Sequence, residues 1–143
     1  MGLNNAMDIS VSGIQAQRVT MELIASNIAN INTTRTVYGE PYRRRIAVLG
    51  ENQLSFADQL ARAEKKIAAG GVEVVDVVED SSPFQRVYRP GHPDADAEGF
   101  LSLPNVKLSD EYVDLMKVER NNEANITAFN STKKMMQDTL QLQ

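Results

Sequence analysis

The residues most suited to binding a metal ion lie in Asp94–Gly99, which reads DADAEG. Alternating carboxylates followed by glycine are typical of the first half of an EF-hand calcium loop. The twelfth position of such a loop is Asn105 instead of Glu, and Pro93 and Pro104 stand where the flanking helices should be. The pattern therefore favours an acidic turn between two strands over a calcium site.

Catalytic side chains are sparse in this sequence. His92 is the single histidine, and no arrangement of serine and carboxylate residues marks it as part of a catalytic triad. The chain has no cysteine, which excludes disulfides, thiol catalysis and cysteine metal sites. It also lacks a phosphate-binding glycine loop, an HExxH motif and a nucleophile elbow. These residues therefore give no signal of an enzyme, and we expect no cofactor and no metal.

The charge balance argues against nucleic acid as a partner. Fifteen Lys and Arg residues face nineteen Asp and Glu residues, for a net charge of −4. The single basic cluster, Arg43–Arg45, is better explained by a solvated strand face or a subunit contact.

Targeting signals are missing as well. No apolar run approaches the roughly 20 residues of a membrane span. The first basic residue is Arg18, so the N-terminus lacks the basic region of a secretory signal. Composition alone thus predicts a soluble cytosolic protein without a cleaved signal peptide, although composition does not reveal export by a route without cleavage.

The first long element is a predicted helix from Met7 to Thr34. Its apolar residues recur three, four or seven positions apart and include Leu3, Met7, Val11, Ile14, Met21, Ile24, Ile28 and Ile31. Few charges accompany them, whereas a lone helix in water usually has a charged outer face. The pattern fits either a buried helix of one globular core or a helix packed between subunits.

The middle of the chain predicts short strands and one helix. Tyr42–Leu49 alternates as a half-buried strand, with Tyr42, Ile46 and Val48 on its inner face. An amphipathic helix is predicted from Ser55 to Ala69, ended by Gly70 and Gly71. Further strands are predicted at Val72–Val78, Phe84–Tyr88 and Phe100–Leu103.

A second long helix is predicted from Leu108 to near the C-terminus. Its heptad-spaced apolar residues are Leu108, Tyr112, Leu115, Ile126, Phe129, Met136 and Leu140. We therefore predict an α+β fold in which the two terminal helices pack as an antiparallel, coiled-coil-like pair. The predicted divisions are an N-terminal axial helix (residues 1–34), a β-rich middle segment (35–107) and a C-terminal axial helix (108–143), with both helices forming one helical core.

Three motifs carry a resemblance to a known family. They are Ala25–Thr36 (ASNIANINTTRT) with Gly39 and Pro41–Arg44, then Tyr88–Asp96 (YRPGHPDAD) with Gly99–Phe100 and Leu103–Val106, and finally Ala124–Lys133 (ANITAFNSTK). In this order the sequence resembles the bacterial flagellar axial proteins, the rod, hook and hook-associated family, and among them the proximal rod proteins. Val37 stands where these proteins often have Pro, Asn122 replaces a usual Tyr, and Leu49–Gly71 matches no motif.

The resemblance implies a structural, non-enzymatic subunit of the flagellar basal-body rod, which carries motor torque through the periplasm. It implies delivery by the flagellar type III export apparatus without a cleaved signal peptide. It also implies partners: other copies of the chain, the rod proteins FlgB, FlgF and FlgG, and the rod-base adaptor FliE. No nucleic-acid partner and no direct membrane span are expected.

We expect subunit packing to involve the apolar seams of both helices and the asparagines near the end of the first. Asparagine suits a helix end, and its exposed amides could bind neighbours. The predicted packing residues are Met7, Val11, Ile14, Met21, Ile24, Asn27, Ile28, Asn30, Asn32, Leu115, Ile126, Phe129, Met136 and Leu140.

Two other classes of function remain open at this point. The seams alone would also permit a soluble coiled-coil adaptor or chaperone that acts as a discrete dimer. An enzyme is the third class, with the acidic turn near His92 as its candidate site.

Overall fold

The computed structural model describes residues 3–51 and 70–141. In chain order its elements are α1 (Leu3–Ala29), β1 (Arg45–Glu51), β2 (Val72–Glu79), β3 (Gln85–Tyr88), β4 (Phe100–Leu103) and α2 (Leu108–Gln141). The predicted α+β fold, with long terminal helices and a β-rich middle, is confirmed. The helix predicted at Ser55–Ala69 lies outside the described residues.

Helix α1 ends earlier than predicted, at Ala29 instead of Thr34. Asn30 Nδ2 donates a hydrogen bond to the Ser26 carbonyl oxygen, and Thr33 Oγ1 donates to Asn30 Oδ1. These side chains bond to backbone and to each other within a turn, which competes with continuation of the helix. The helix therefore ends near the start of the asparagine cluster, before Ile31 and Thr34.

Strand β1 also differs from its prediction. It begins at Arg45 instead of Tyr42. Tyr42 is buried, as expected, but Ile46 and Val48 are each 42% exposed. The predicted inner face of this strand is therefore wrong for those two residues, because period-two alternation cannot show whether a layer covers either face.

The four strands in the described part of the chain form two two-stranded sheets, β1–β2 and β3–β4. β3 and β4 are antiparallel, in register from Gln85 opposite Leu103 to Tyr88 opposite Phe100. The Tyr88 and Phe100 rings meet edge to face, with their centroids 5.4 Å apart. Residues 89–99 connect the two strands, which confirms the predicted acidic turn between strands.

The chain forms two compact units, each built from several segments of the sequence. One comprises Met1–Val19, Val48–Asp76 and Lys117–Gln143, and the other comprises Thr20–Ala47 and Val77–Met116. The buried residues described in the first are Ser10, Gly13, Ala16, Val118 and Thr132. Those described in the second are Ile24, Asn27, Tyr42, Leu101, Pro104, Val106 and Glu111. Each core is small and includes polar side chains.

The two helices contact each other within each unit. In the first unit a Cβ atom added to Gly13 would lie 2.7 Å from Asn125 Nδ2. In the second, Asn27 Nδ2 donates to Glu111 Oε2 over 3.1 Å. As the residue number increases along α1, from Gly13 to Asn27, the number of the contacted residue on α2 decreases, from Asn125 to Glu111. The helices therefore run antiparallel, as predicted. In the described part of the chain, no helix is long and apolar enough to cross a membrane.

Candidate functional site

A polar cluster is buried where the end of α1, the segment before β1 and the start of α2 meet. We call Asn27, Tyr42, Arg44, Glu111 and Asp114 the buried polar cluster. Asn27 is 1% exposed and Glu111 is fully buried. Buried polar groups are costly unless they are hydrogen-bonded, so the bonding of this cluster decides whether it stabilises the fold.

Asn27 uses all four hydrogen-bonding positions of its side-chain amide. Its Nδ2 donates to the Arg45 carbonyl oxygen (2.9 Å) and to Glu111 Oε2 (3.1 Å). Its Oδ1 accepts from the Tyr42 hydroxyl (2.9 Å) and from the Arg45 backbone N–H (3.0 Å). One amide therefore joins three segments of the chain.

Arg44 neutralises the carboxylates of the cluster. Its Nε donates to Glu111 Oε1, and its Nη2 donates to Asp114 Oδ2 over 2.7 Å. Burial lowers the pKa of the Arg44 guanidinium, but hydrogen bonds and attraction from Glu111 and Asp114 outweigh this and raise the pKa above its usual value. Because Glu111 is fully buried, loss of Arg44 would leave an uncompensated charge.

The neighbouring arginines are also used inside the chain. The Arg43 guanidinium lies 4.4 Å from the centroid of the Phe84 ring, and Arg45 Nη2 lies 3.6 Å from Glu79 Oε1. The prediction of a solvated strand face is therefore wrong for Arg44, whose side chain is 21% exposed. A run of three arginines does not reveal from sequence which of them turns inward.

Asn105 connects the cluster to the segment that follows β2. Its Oδ1 accepts from the Arg44 backbone N–H (2.8 Å), and its Nδ2 donates to the Asp80 carbonyl oxygen (3.0 Å). Asp80 Oδ1 in turn accepts from the Ser82 backbone N–H and from the Ser82 hydroxyl. The cluster thus continues into a turn held by Asp80.

We expect Ser82→Ala to raise the pKa of Asp80. The Ser82 hydroxyl, then the Ser82 backbone N–H, hold this pKa below its usual 3.8. A carboxylate whose pKa is lower in the folded state than in the unfolded state stabilises the fold at pH values above the unfolded-state pKa. This stabilisation is lost as the pH falls through the folded-state pKa. In the variant this contribution is therefore lost at a higher pH. An NMR titration of the Asp80 carboxyl measures the shift, with Ser81→Ala as control; an unchanged Asp80 pKa would contradict the assignment.

The acidic turn uses its carboxylates to shape its own loop. Asp96 Oδ1 accepts from the Phe100 and Glu98 backbone N–H groups, and the bond from Phe100 is the main cause of the lowered pKa of Asp96. Asp94 Oδ2 accepts from the Thr34 hydroxyl (2.8 Å). His92 Nδ1 accepts from the Asp94 backbone N–H. Across residues 3–51 and 70–141 no group of three or more acidic or histidine side chains is arranged to hold a metal ion.

The predicted packing residues have different surroundings in the structure. Ile24 and Asn27 are buried, so Asn27 does not offer the exposed amide that was expected. The half-buried ones are Met7, Ile14, Met21, Ile28, Asn30, Leu115, Phe129 and Met136. The exposed ones are Val11, Asn32, Ile126 and Leu140. They lie along both helices, and among them only Asn27 belongs to the buried polar cluster.

Large apolar side chains remain exposed on the two helices. We call this set the outer apolar surface; it comprises Leu3, Val11, Val19, Leu108, Tyr112, Val113, Met116, Ile126, Met135 and Leu140. Met116 is the most exposed of those in the first turns of α2, at 60%. In the N-terminal half of α1, by contrast, the buried residues are small, namely Ser10, Gly13 and Ala16. The buried positions of the two helices thus include small and polar residues beside Ile24 and Val118, while other large apolar side chains remain exposed.

Apart from Asn27, the buried polar cluster was not predicted from the sequence. One signal could have indicated it: Glu111 lies between the heptad positions Leu108 and Leu115, and a carboxylate in an apolar seam requires a partner. Val113, Met116 and Met135 were likewise not predicted as packing residues, since they lie beside the heptad positions that were chosen.

Comparison with known proteins shows similarity over nearly the whole chain. Residues 7–35 match the family described as Flagella basal body rod protein, and residues 97–142 match Flagellar basal body rod FlgEFG protein C-terminal. The flagellar basal-body rod protein FlgC of Bacillus subtilis (strain 168) is 42% identical over 144 residues, which covers 96% of each chain. FlgC of Salmonella typhimurium (strain LT2) is 38% identical over 99% of this chain and 98% of that one. FlgC of Aquifex aeolicus (strain VF5) is 32% identical over 99% of this chain and 97% of that one.

The two matched ranges contain most of α1 and all of α2, together with the turn that follows α1 and strand β4. They thus include the parts of α1 and α2 that supply Asn27, Glu111 and Asp114 to the buried polar cluster. They also include most of the outer apolar surface. This chain belongs to the flagellar basal-body rod protein family.

Proposed function

We propose that this chain is a structural, non-catalytic subunit of the proximal rod of the bacterial flagellar basal body. In this role its terminal helices pack with those of other axial subunits and transmit motor torque. The outer apolar surface is the observation that carries the proposal. In this proposal residues 1–34 and 108–143 form the axial helical core, and the middle segment, residues 35–107, contacts neighbouring subunits.

The energetics favour an assembled state. Burial of apolar surface contributes about 25 cal/mol per Å², so half-exposed Val, Leu, Ile and Met side chains leave stabilisation unused in an isolated chain. Exposed apolar patches on soluble proteins commonly mark interaction sites. Two helices with such side chains along their length can contact several neighbours, and the weak individual contacts add over area. A shaft under torque needs this kind of distributed packing.

The exposed and half-buried members of the predicted packing set supply these contacts in the proposal. Ile24 and Asn27 act differently, because they are buried within the chain and hold the end of α1 in place. Asn30 serves the turn that ends α1, while the exposed Asn32 offers its amide to a neighbour.

The proposed partners follow from the same role. They are other copies of this chain, the rod proteins FlgB, FlgF and FlgG, the rod-base adaptor FliE, and the type III export apparatus during delivery. The proposed location is the periplasmic part of the basal body, reached without a cleaved signal peptide.

Methionine oxidation tests the proposal directly. Met116 and Met135 are 60% and 52% exposed, whereas Met7, Met21 and Met136 are less exposed and serve as internal controls. Peroxide converts accessible methionine to its sulfoxide, which mass spectrometry locates in each peptide. We expect Met116 and Met135 to oxidise faster than the controls in the purified chain and to be protected in isolated basal bodies.

The alternative function, a soluble adaptor or chaperone dimer, gives a different result. Such a protein would be absent from basal bodies, and its methionines would become protected once a discrete dimer saturates. Equal oxidation of Met116 and Met135 in the purified and assembled protein would show that the outer apolar surface is not a packing surface.

A further inference from the structure

The contact positions of the two helices repeat every seven residues. On α1, Ser10 and Ile24 are buried fourteen positions apart, and so are Gly13 and Asn27. On α2, the three buried residues and the residue that contacts Gly13 are separated by seven positions; in order they are Glu111, Val118, Asn125 and Thr132. Both helices therefore present their contact positions with a heptad repeat.

A repeat of this kind does not by itself select one pairing of the helices. Helix α2 is continuous from Leu108 to Gln141, so a shift of its first turns along α1 also shifts the residues that face Gly13. After a shift of one heptad, Val118 or Thr132 would take the place of Asn125 beside Gly13. Because these side chains are similar in size to asparagine, the Gly13 contact is compatible with all three pairings.

The buried polar cluster is compatible with only one of them. Asn27 holds the Arg45 backbone through both atoms of its amide, so Arg44 stays at the end of α1 if α2 moves. A shift of one heptad would carry Glu111 about 10 Å along α1, at 1.5 Å per residue. Glu111 would then be out of reach of both Arg44 and Asn27, which bond to it in the structure.

The two directions of shift fail for related reasons. In one direction Glu111 would lie beside Thr20, and its buried carboxylate would lack a neutralising partner, which is strongly unfavourable. In the other direction Val118 would lie beside Asn27. The amide of Asn27 and the guanidinium of Arg44 would then both lack the carboxylate that they bind.

We propose that the buried polar cluster selects the register of the helix pair: it admits the pairing in which Asn27 lies beside Glu111 and excludes those shifted by one heptad. Apolar replacement of a whole buried ion pair is often neutral for stability, whereas buried polar groups can fix a single register. Truncation of one member alone still destabilises, because it leaves the others unpaired. The register also sets where residues such as Met116 stand along α1, a consequence for packing that rests on the proposed function.

Disulfide formation reports the register, because the native chain has no cysteine. Gly13→Cys is combined with Val118→Cys, Asn125→Cys or Thr132→Cys, one partner at a time. A disulfide requires Cβ atoms only about 4 Å apart, so each pair reports a different register. In the monomer fraction of the purified, oxidised chain, mass spectrometry should show the link between positions 13 and 125 and neither of the others.

The decisive variant replaces the central ion pair with two apolar side chains of similar length, Arg44→Met with Glu111→Met. We expect circular dichroism to show retained helices and at least one shifted pair to cross-link in addition to the native pair. The matched control is Arg43→Met with Asp110→Met, which removes the same two charges one position earlier in each element. This control should form only the native cross-link.

The possible outcomes are decisive for the inference. A folded Arg44→Met, Glu111→Met variant that forms only the native cross-link would overturn it and assign the register to other contacts, such as those of Asn105. An unfolded variant would overturn it too, since the cluster would then be needed for stability itself. Shifted cross-links in the presence of the native cluster would show that no register is selected. All these results concern the purified chain, so each leaves the proposed rod function standing, which incorporation into basal bodies tests separately.

Discussion

Replacement of Asn27 by alanine is expected to lower the free energy of unfolding by about 3 kcal/mol. The change removes four hydrogen bonds at once and leaves their partners buried. Among these partners Glu111 is fully buried and carries a charge, and a buried charge that loses a hydrogen bond is particularly costly. The end of α1 also loses its connection to the Arg45 backbone.

Urea unfolding followed by circular dichroism measures this change. Asn32→Ala is the matched control, since Asn32 is exposed on the turn after α1, and it should change stability by about 0.5 kcal/mol or less. An Asn27→Ala variant as stable as the control would mean that the buried polar cluster is not needed for the fold. A change in the slope of the transition would instead indicate that two-state unfolding no longer holds.

Met116→Glu is expected to prevent incorporation into basal bodies and to abolish motility. Met116 is 60% exposed, so a glutamate there remains hydrated in the isolated chain and should change its stability by only about 0.5 kcal/mol. In a packed rod the same carboxylate would be buried without a partner. A cost of about 3 kcal/mol per interface corresponds to an affinity roughly 100-fold lower.

The matched control is Asn121→Glu, which adds the same charge at an exposed polar position of the same helix. It should retain motility and incorporation. Swimming in soft agar, the amount of chain in isolated basal bodies and circular dichroism of the purified variants together give the result. Full motility of Met116→Glu would exclude this part of α2 from the packing surface.

The sequence by itself determined the elements that depend on local periodicity and turn chemistry. The two terminal helices, strands β2 to β4 and the acidic turn were predicted to within about five residues, because apolar spacing and Gly, Pro and Asn positions act over short range. The asparagine cluster correctly indicated a helix end but placed it at Thr34 instead of Ala29. The three motifs also indicated the family, which the comparisons confirm.

Only the tertiary structure decided which polar residues meet and which apolar residues stay outside. Asn27 and Glu111 are 84 positions apart, and Arg44 and Glu111 are 67 apart, so no local pattern links them. Heptad spacing places side chains on a helix face but does not say which face the partner helix covers. Here the partner covers small and polar positions such as Gly13 and Asn27, which leaves residues such as Met116 exposed for other contacts.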